Sequence, residues 1–245
     1  MTLSVSVVVC AHNEGRYLAA CLHSLLAQTR AADEIVVVDN ASRDDTAAVA
    51  ARIPGVRVVS EPRQGLVIAR ETGKREARGS LLVYVDADCR APLQWLERVA
   101  AKFERDPDLL ALSGPYRYYD WDWWGRALVR AYDFTLAPAT LVLVKYILGL
   151  GTIFYGGNFA VRTIALERIG GFDTSIEFHG EDTNLGRRLS AVGKVTLNYD
   201  CYLYTSARRF VALGKGAVFR LYVRNFTSEL LHRRPRDRSH VDVRL

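Results

Sequence analysis

Ser4 to Cys10 is a run dominated by valine and predicts a first strand. A polar turn, Ala11-His12-Asn13-Glu14-Gly15, follows it. Leu18, Cys21, Leu22, Leu25 and Leu26 then recur at helical spacing and predict a helix through about Gln28. The alternation repeats. Glu34 to Val38 predicts a second strand, stopped by Asp39-Asn40-Ala41-Ser42. Ser42 is placed to cap a helix over Asp44 to Arg52, and Val56 to Ser60 predicts a third strand after the Pro54-Gly55 turn. A helix over Leu66 to Arg78 ends at Gly79. The apolar run Leu81 to Val85 then predicts a buried strand that finishes in Asp86 and Asp88.

Strand, helix, strand, helix, strand, helix, strand is the order of βαβ units. It predicts an α/β fold: a Rossmann-like, mostly parallel sheet flanked by helices. In such sheets ligands bind beyond the carboxyl ends of the strands. Three of those ends carry polar clusters, His12-Asn13-Glu14, Asp39-Asn40 and Asp86/Asp88. Polar turns follow most strands, but three such clusters on one sheet edge make a coherent candidate site.

Further along, Pro92 to Arg105 reads as an amphipathic helix with Trp95, Leu96, Val99 and Phe103 on one face, and Leu109 to Ser113 as another strand. Tyr116 to Trp124 is dense in tyrosine and tryptophan, and Phe134 to Phe154 is nearly apolar apart from Pro138 and Lys145. That stretch has three readings: a buried core helix or acceptor groove, contact with a membrane surface, or a span. Its proline, lysine and glycines argue against the span. Gly156 to Val161 predicts a turn into a strand, and Thr163 to Ile169 a helix closed by Gly170-Gly171. Phe178 to Leu185 opens a helix reaching about Val192, with Glu181 and Asp182 at its N-terminus, and Val195 to Tyr199 returns as a strand. Acids at a helix start serve the helix dipole in the ordinary case. From Ser206 the chain is rich in arginine. This separates a domain over 1–210 from a basic C-terminal extension over 211–245, packed on it or partly mobile.

The chain has 245 residues, half of them hydrophobic (49%) and a quarter charged (24%), as in a globular protein with a full core. Its net charge of +6 favours an anionic partner such as a nucleotide diphosphate or a lipid surface. The basic residues are not interleaved with a stacking platform, which argues against nucleic acid. Cys10, Cys21, Cys89 and Cys201 form no CxxC pair and read as reduced, mostly buried thiols. With no basic leader ahead of the first strand, the expectation is a cytoplasmic protein, peripheral at most at the inner face of the membrane.

Asp86 and Asp88, spaced i, i+2 at a strand end, point to one face. Two acids there are costly without a counter-ion, and hard oxygen donors suit Mn²⁺ or Mg²⁺ with phosphate and water completing the shell. Local backbone bonding by Asp in a turn is the plainer reading of the same residues.

The ordered segments Val7 to Glu14, Ile35 to Ser42, Asp86-Ala87-Asp88, Gly157 to Val161, Gly170-Gly171-Phe172-Asp173, Glu181-Asp182 and Arg188-Leu189 together resemble glycosyltransferase family 2, with its A-type nucleotide-sugar fold. The resemblance covers about residues 4–210. It implies a nucleotide-sugar donor, usually a UDP-sugar, and an acceptor with a free hydroxyl, lipid-linked or not. Asp39 and the backbone of Ala11, Asn13 and Glu14 would hold the base and ribose, with Arg70 near the nucleotide. Asp88 would bind the metal, and Asp86 the ribose or sugar as well as the metal. Asp182 would be the catalytic base, with Glu181 beside it. Ser206-Ala207-Arg208-Arg209-Phe210 looks like a degenerate QxxRW motif, so Arg209, with Asn158, would meet the diphosphate or acceptor. The missing Gln and Trp argue against processive synthesis. No histidine near Ser206 completes a metal shell; His232 and His240 are distant candidates. A base with no covalent intermediate implies inversion at the anomeric carbon. Two other functions are weighed. A nucleotidyltransferase making nucleotide-sugars needs a Gly-rich basic loop after the first strand, where this chain has an acidic one. A non-catalytic nucleotide-sugar or membrane-binding module would have lost its acids.

Overall fold

The computed structural model describes residues 3–142, 154–176 and 180–232. The first half runs β1 (Val5–Ala11), α1 (Gly15–Leu26), β2 (Glu34–Asn40), α2 (Thr46–Ala51), β3 (Val56–Glu61), α3 (Leu66–Glu76), β4 (Leu81–Asp86), α4 (Trp95–Arg105), β5 (Leu109–Ser113) and β6 (Tyr116–Tyr118). It continues through α5 (Trp123–Phe134), α6 (Leu136–Leu141), β7 (Asn158–Arg162), α7 (Thr163–Arg168), α8 (Glu181–Ser190), β8 (Lys194–Leu197), β9 (Leu203–Thr205), α9 (Arg208–Leu213) and α10 (Lys215–His232).

Seven strands form one sheet in the order β3-β2-β1-β4-β7-β5-β8, with β7 alone running against its neighbours. This is the expected mostly parallel α/β sheet. Both faces are covered, which is why the strands read as unbroken apolar runs. Val5, Val7 and Val9 of β1 and Leu81, Val83 and Val85 of β4 face the layer of α1 and α4, where Leu22, Trp95 and Phe103 are buried. Val8, Leu82 and Tyr84 face the opposite layer, with Val67, Leu166 and Leu189. Full burial of each such aliphatic side chain is worth about 1.5–3 kcal/mol. Leu26, on the expected apolar face of α1, lies at its edge and is exposed.

Parallel register sets the strand ends level. Ala11 of β1 pairs with Asp39 of β2, and Cys10 with Asp86 of β4. The antiparallel β7 starts at the same edge, with Asn158 beside Val85. The sequence pattern did not show β6 and β9, which pair as a separate two-stranded ribbon beyond that edge.

One expectation is corrected. Ser42 does not cap α2, which starts later behind Asp45. The Ser42 hydroxyl instead accepts the Asn13 N–H, tying the β1 loop to the β2 loop. In the basic stretch after Ser206, α9 and α10 occupy the first part, Val218 is fully buried, and α10 packs on α8 and α9. Residues 143–153, the greater part of the apolar stretch from Phe134, lie outside the described residues, as do Phe178, His179 and His240. Among the described residues no helix is long and apolar enough to cross a membrane. The cysteines are free thiols. Burial pushes the Cys10 thiol up to about 12, so it is unreactive at neutral pH.

Candidate active site

The loops after β1 and β2 are knitted together. The Asn40 side-chain amide donates to the carbonyls of Glu61 and Arg63 and accepts from the Gly65 N–H. His12 Nδ1 lies 2.6 Å from the Asn40 carbonyl oxygen. Asn13 and Ala41 both have positive φ, 53° and 56°. Asn tolerates that conformation; for Ala41 it is local strain at the end of a strand. Within this fixed rim, Asp39 Oδ1 is buried with no hydrogen-bond partner among the described residues. An unmet buried acceptor costs about 1–3 kcal/mol, so a donor arriving from outside is favoured.

At the end of β4, Asp86 Oδ2 accepts from the Tyr116 hydroxyl at 3.2 Å, and the Asp86 N–H donates to the Gly157 carbonyl. A Cβ at Gly157 would stand 1.8 Å from Asp86 Oδ2, so any side chain there would displace the Asp86 carboxylate. Asp88 turns the other way. Its Oδ1 accepts from the Thr205 hydroxyl at 3.2 Å, and its Oδ2 lies 3.1 Å from Arg208 Nη2. Arg208 is also bidentate on the buried Glu14, at 2.9 and 2.5 Å. Burial pushes the Asp88 carboxyl up to about 7 against the pull of Arg208, with Asp86 and Glu14 adding to the rise.

The acid pair Glu181 and Asp182 opens α8. Arg70 from α3 is 3% exposed, and its Nη1 lies 3.4 Å from Glu181 Oε1. The Tyr84 hydroxyl donates to the Arg70 carbonyl, which fixes the helix above the sheet. Burial pushes both acids up, and the Asp182 charge adds to the rise at Glu181. Glu181 goes further, to about 8, with Arg70 opposing the rise. Asp182 is raised less freely because its Oδ1 accepts the Thr183 N–H at 2.7 Å, a bond that favours the carboxylate. The Thr183 N–H favours the charged form of Asp182, which makes it the member of the pair better held as a carboxylate.

One short turn joins these two clusters. A Cβ at Gly156 would lie 3.0 Å from Arg70 Nη2, 3.1 Å from Glu181 Oε1 and 3.2 Å from Asp182 Cβ. Gly156 thus lies against the acid pair and its arginine, and Gly157 against Asp86. Asn158 is spent differently from expectation in part: its amide nitrogen donates to the carbonyls of Pro115 and Cys201, and the residue is 1% exposed. In the degenerate motif, Arg208 reaches Glu14 and Asp88; Arg209, one residue on, is half-buried on α9.

The model of the family described as "Glycosyl transferase family 2" matches residues 6–170. The chain belongs to glycosyltransferase family 2. The enzyme is 27% identical to glycosyltransferase AglE of Haloferax volcanii over 220 residues, 86% of this chain and 69% of that one. Among solved structures it is similar to the mannosyltransferase PcManGT from Pyrobaculum calidifontis, in complex with GDP-Man and Mn²⁺, with TM-score 0.73 and 24% identity over 95% of this chain. It is also similar to S. aureus TarS 1–349 in complex with UDP, with TM-score 0.66 and 17% identity over 93% of this chain. Both likenesses carry the A-type fold. The glycosyltransferase chain spans 64% of the PcManGT chain and 71% of the TarS chain.

The family 2 site suits a divalent cation by the chemistry of its donors. Asp86 at the end of β4 and Asp88 in the turn after it would offer hard oxygen donors. Among the described residues no group of three or more His, Cys, Asp or Glu could hold a metal by itself. A cation on Asp86 and Asp88 would complete its shell from phosphate and water.

Proposed function

We propose that this glycosyltransferase moves a sugar from a UDP-sugar to an acceptor hydroxyl, with inversion at the anomeric carbon, without processivity, and with Mn²⁺ or Mg²⁺ on Asp88 and Asp86. The observation that carries the proposal is the Gly156-Gly157 turn, which packs against Asp86 on one side and against Arg70, Glu181 and Asp182 on the other. Cation-binding and basic groups thus border one space, as a displacement at a sugar carbon requires.

In this reading the unmet Asp39 Oδ1 accepts from the base or ribose, beside the backbone of Ala11, Asn13 and Glu14. Asp86 turns toward ribose or sugar, steered by Tyr116. Arg208 and Arg209 supply positive charge toward the diphosphate, and Asn158 braces the wall below it. Asp182 takes the acceptor's hydroxyl proton as the acceptor oxygen bonds to the anomeric carbon. The bond from that carbon to the diphosphate breaks, and its electron pair leaves with the nucleotide. Arg70 holds the charge balance of the acid pair, and Glu181 positions the acceptor. When bound, the divalent cation offsets the charge that builds on the leaving diphosphate.

Calorimetry tests the donor half. UDP is expected to bind, and Mn²⁺ to tighten it by a typical coupling of about 5–150-fold. Asp88→Asn should remove the Mn²⁺ dependence with little change in melting temperature. Equal UDP affinity with Mn²⁺ and with chelator would overturn the metal assignment, and a preference for GDP over UDP would overturn the base.

A second contact is proposed on a different surface, a peripheral one with an anionic bilayer. Trp123 and Trp124 are 60% and 66% exposed, stacked on each other at 3.7 Å, with exposed Arg126, Leu128 and Arg130 on the same helix. Tryptophan and arginine together suit the boundary between water and acyl chains. Co-sedimentation with phosphatidylserine vesicles is expected for the wild type and should fall about tenfold or more in Trp123→Ala/Trp124→Ala, since each buried aromatic contributes strongly. Equal recovery with anionic and neutral vesicles, or no binding to either, would count against the contact.

A further inference from the structure

We infer that Arg208 is the counter-ion of Asp88 in the donor-free enzyme, and that this contact makes cation binding conditional on the nucleotide diphosphate. The inference rests on the proposed cation site at Asp86 and Asp88. Both Asp88 oxygens are engaged, one by the Thr205 hydroxyl and one by Arg208 Nη2. The guanidinium is not loosely placed. Glu14 holds it by two hydrogen bonds, and its carbon lies 4.8 Å from the centre of the Tyr17 ring. Its mount is fixed as well. At the start of α9, Asp120 accepts from the Ala207 N–H at 2.6 Å and from the Ser206 hydroxyl at 2.5 Å.

A divalent ion arriving alone at Asp88 would therefore meet a permanent positive charge that arginine cannot lose by deprotonation. A diphosphate brings negative charge to both cations at once and removes the conflict. Glu14 sets how strongly the latch bears on Asp88. While Glu14 takes both hydrogen bonds of the guanidinium, Asp88 has one ion-pair contact with it; without Glu14, Asp88 is its remaining carboxylate partner. Cation and nucleotide affinities are then linked, and the linkage is reciprocal.

Mn²⁺ binding is read from the paramagnetic resonance signal of the free ion, with and without UDP. Arg208→Gln is expected to tighten Mn²⁺ binding in the absence of nucleotide by about tenfold or more, and to shrink the gain that UDP gives, within the usual range of such couplings. Because Arg208→Gln strands the buried Glu14, the double variant Glu14→Gln/Arg208→Gln removes both charges of that pair together and should show the same tightening. Glu14→Gln alone should move the other way and weaken Mn²⁺ binding. A residue that merely supported the fold would shift all three variants in one direction. Unchanged or weaker Mn²⁺ binding in both variants lacking Arg208, with UDP-linked Mn²⁺ binding intact in the wild type, overturns the latch alone. Absence of UDP-linked Mn²⁺ binding in the wild type overturns the cation site, and the latch with it.

Discussion

Replacing Asp182 with asparagine is expected to lower the transfer rate at saturating donor by about 10²–10⁴-fold, the usual loss when a general base is removed. The fold should survive. Asparagine keeps the size of the side chain, and its carbonyl oxygen can still accept the Thr183 N–H that Asp182 Oδ1 accepts at 2.7 Å. Donor affinity should stay within about twofold, because the base faces the acceptor hydroxyl and a residue outside the donor contacts removes little binding energy. Glu181→Gln is the comparison. Burial and its partner acid push the Glu181 carboxyl up to about 8, so replacement by glutamine is the smaller electrostatic change of the two. A smaller loss is expected there. Single-turnover transfer, with donor binding measured in parallel, checks both variants. Near wild-type turnover in Asp182→Asn, or a product that keeps the donor's anomeric configuration, would overturn the assignment.

Replacing Arg70 with methionine is expected to act on stability and on pH dependence together. Arg70 is the buried cation facing the acid pair, 3.4 Å from Glu181 Oε1. Breaking a buried pair by removing one partner costs about 3–5 kcal/mol when the other stays charged. The acids can instead protonate, so the cost depends on pH. A carboxyl whose pKa is raised in the folded state contributes stability that is full below its ordinary value near 4.5 and is lost as pH rises through the folded value. Without Arg70 that folded value climbs above about 8. The melting temperature of Arg70→Met should therefore fall short of the wild type by more at pH 9 than at pH 5. The acid limb of the rate profile should move to higher pH, because the pair gives up its proton later. Adding Glu181→Gln should restore part of the lost stability at pH 9. A uniform loss across the pH range, with no restoration in the double variant, would show that Arg70 acts through packing alone.

The parts of the site that could be read from the chain are those set by local pattern. Asp39, Asp86 and Asp88 follow apolar runs buried on both sides, and any strand of that kind places its last polar residues at the sheet edge. Glu181 and Asp182 follow a glycine and open a helix, which is also a local signal. Other features left no such trace. The strands β6 and β9 have three residues each and pair across the chain, Tyr116 with Leu203, so neither stands out by itself. Ser42 has the right identity for a helix cap, yet its hydroxyl is taken by Asn13. Arg209 fits the motif by spacing; the contact of Arg208 with Glu14, 194 positions away, has no such signal.

The sequence by itself determined the order of strands and helices, the edge at which polar groups gather, and the identity of the acids there. Those follow from hydrophobic periodicity and from the register of parallel strands, which depend on near neighbours. The tertiary structure alone decided how the acids are neutralised. Arg70 was paired with Glu181, and Arg208 was shared between Glu14 and Asp88. It also decided which residues the Gly156-Gly157 turn must clear. Charge pairing across buried space depends on distances of a few ångströms between segments far apart in the chain, and no pattern of neighbouring residues encodes those distances.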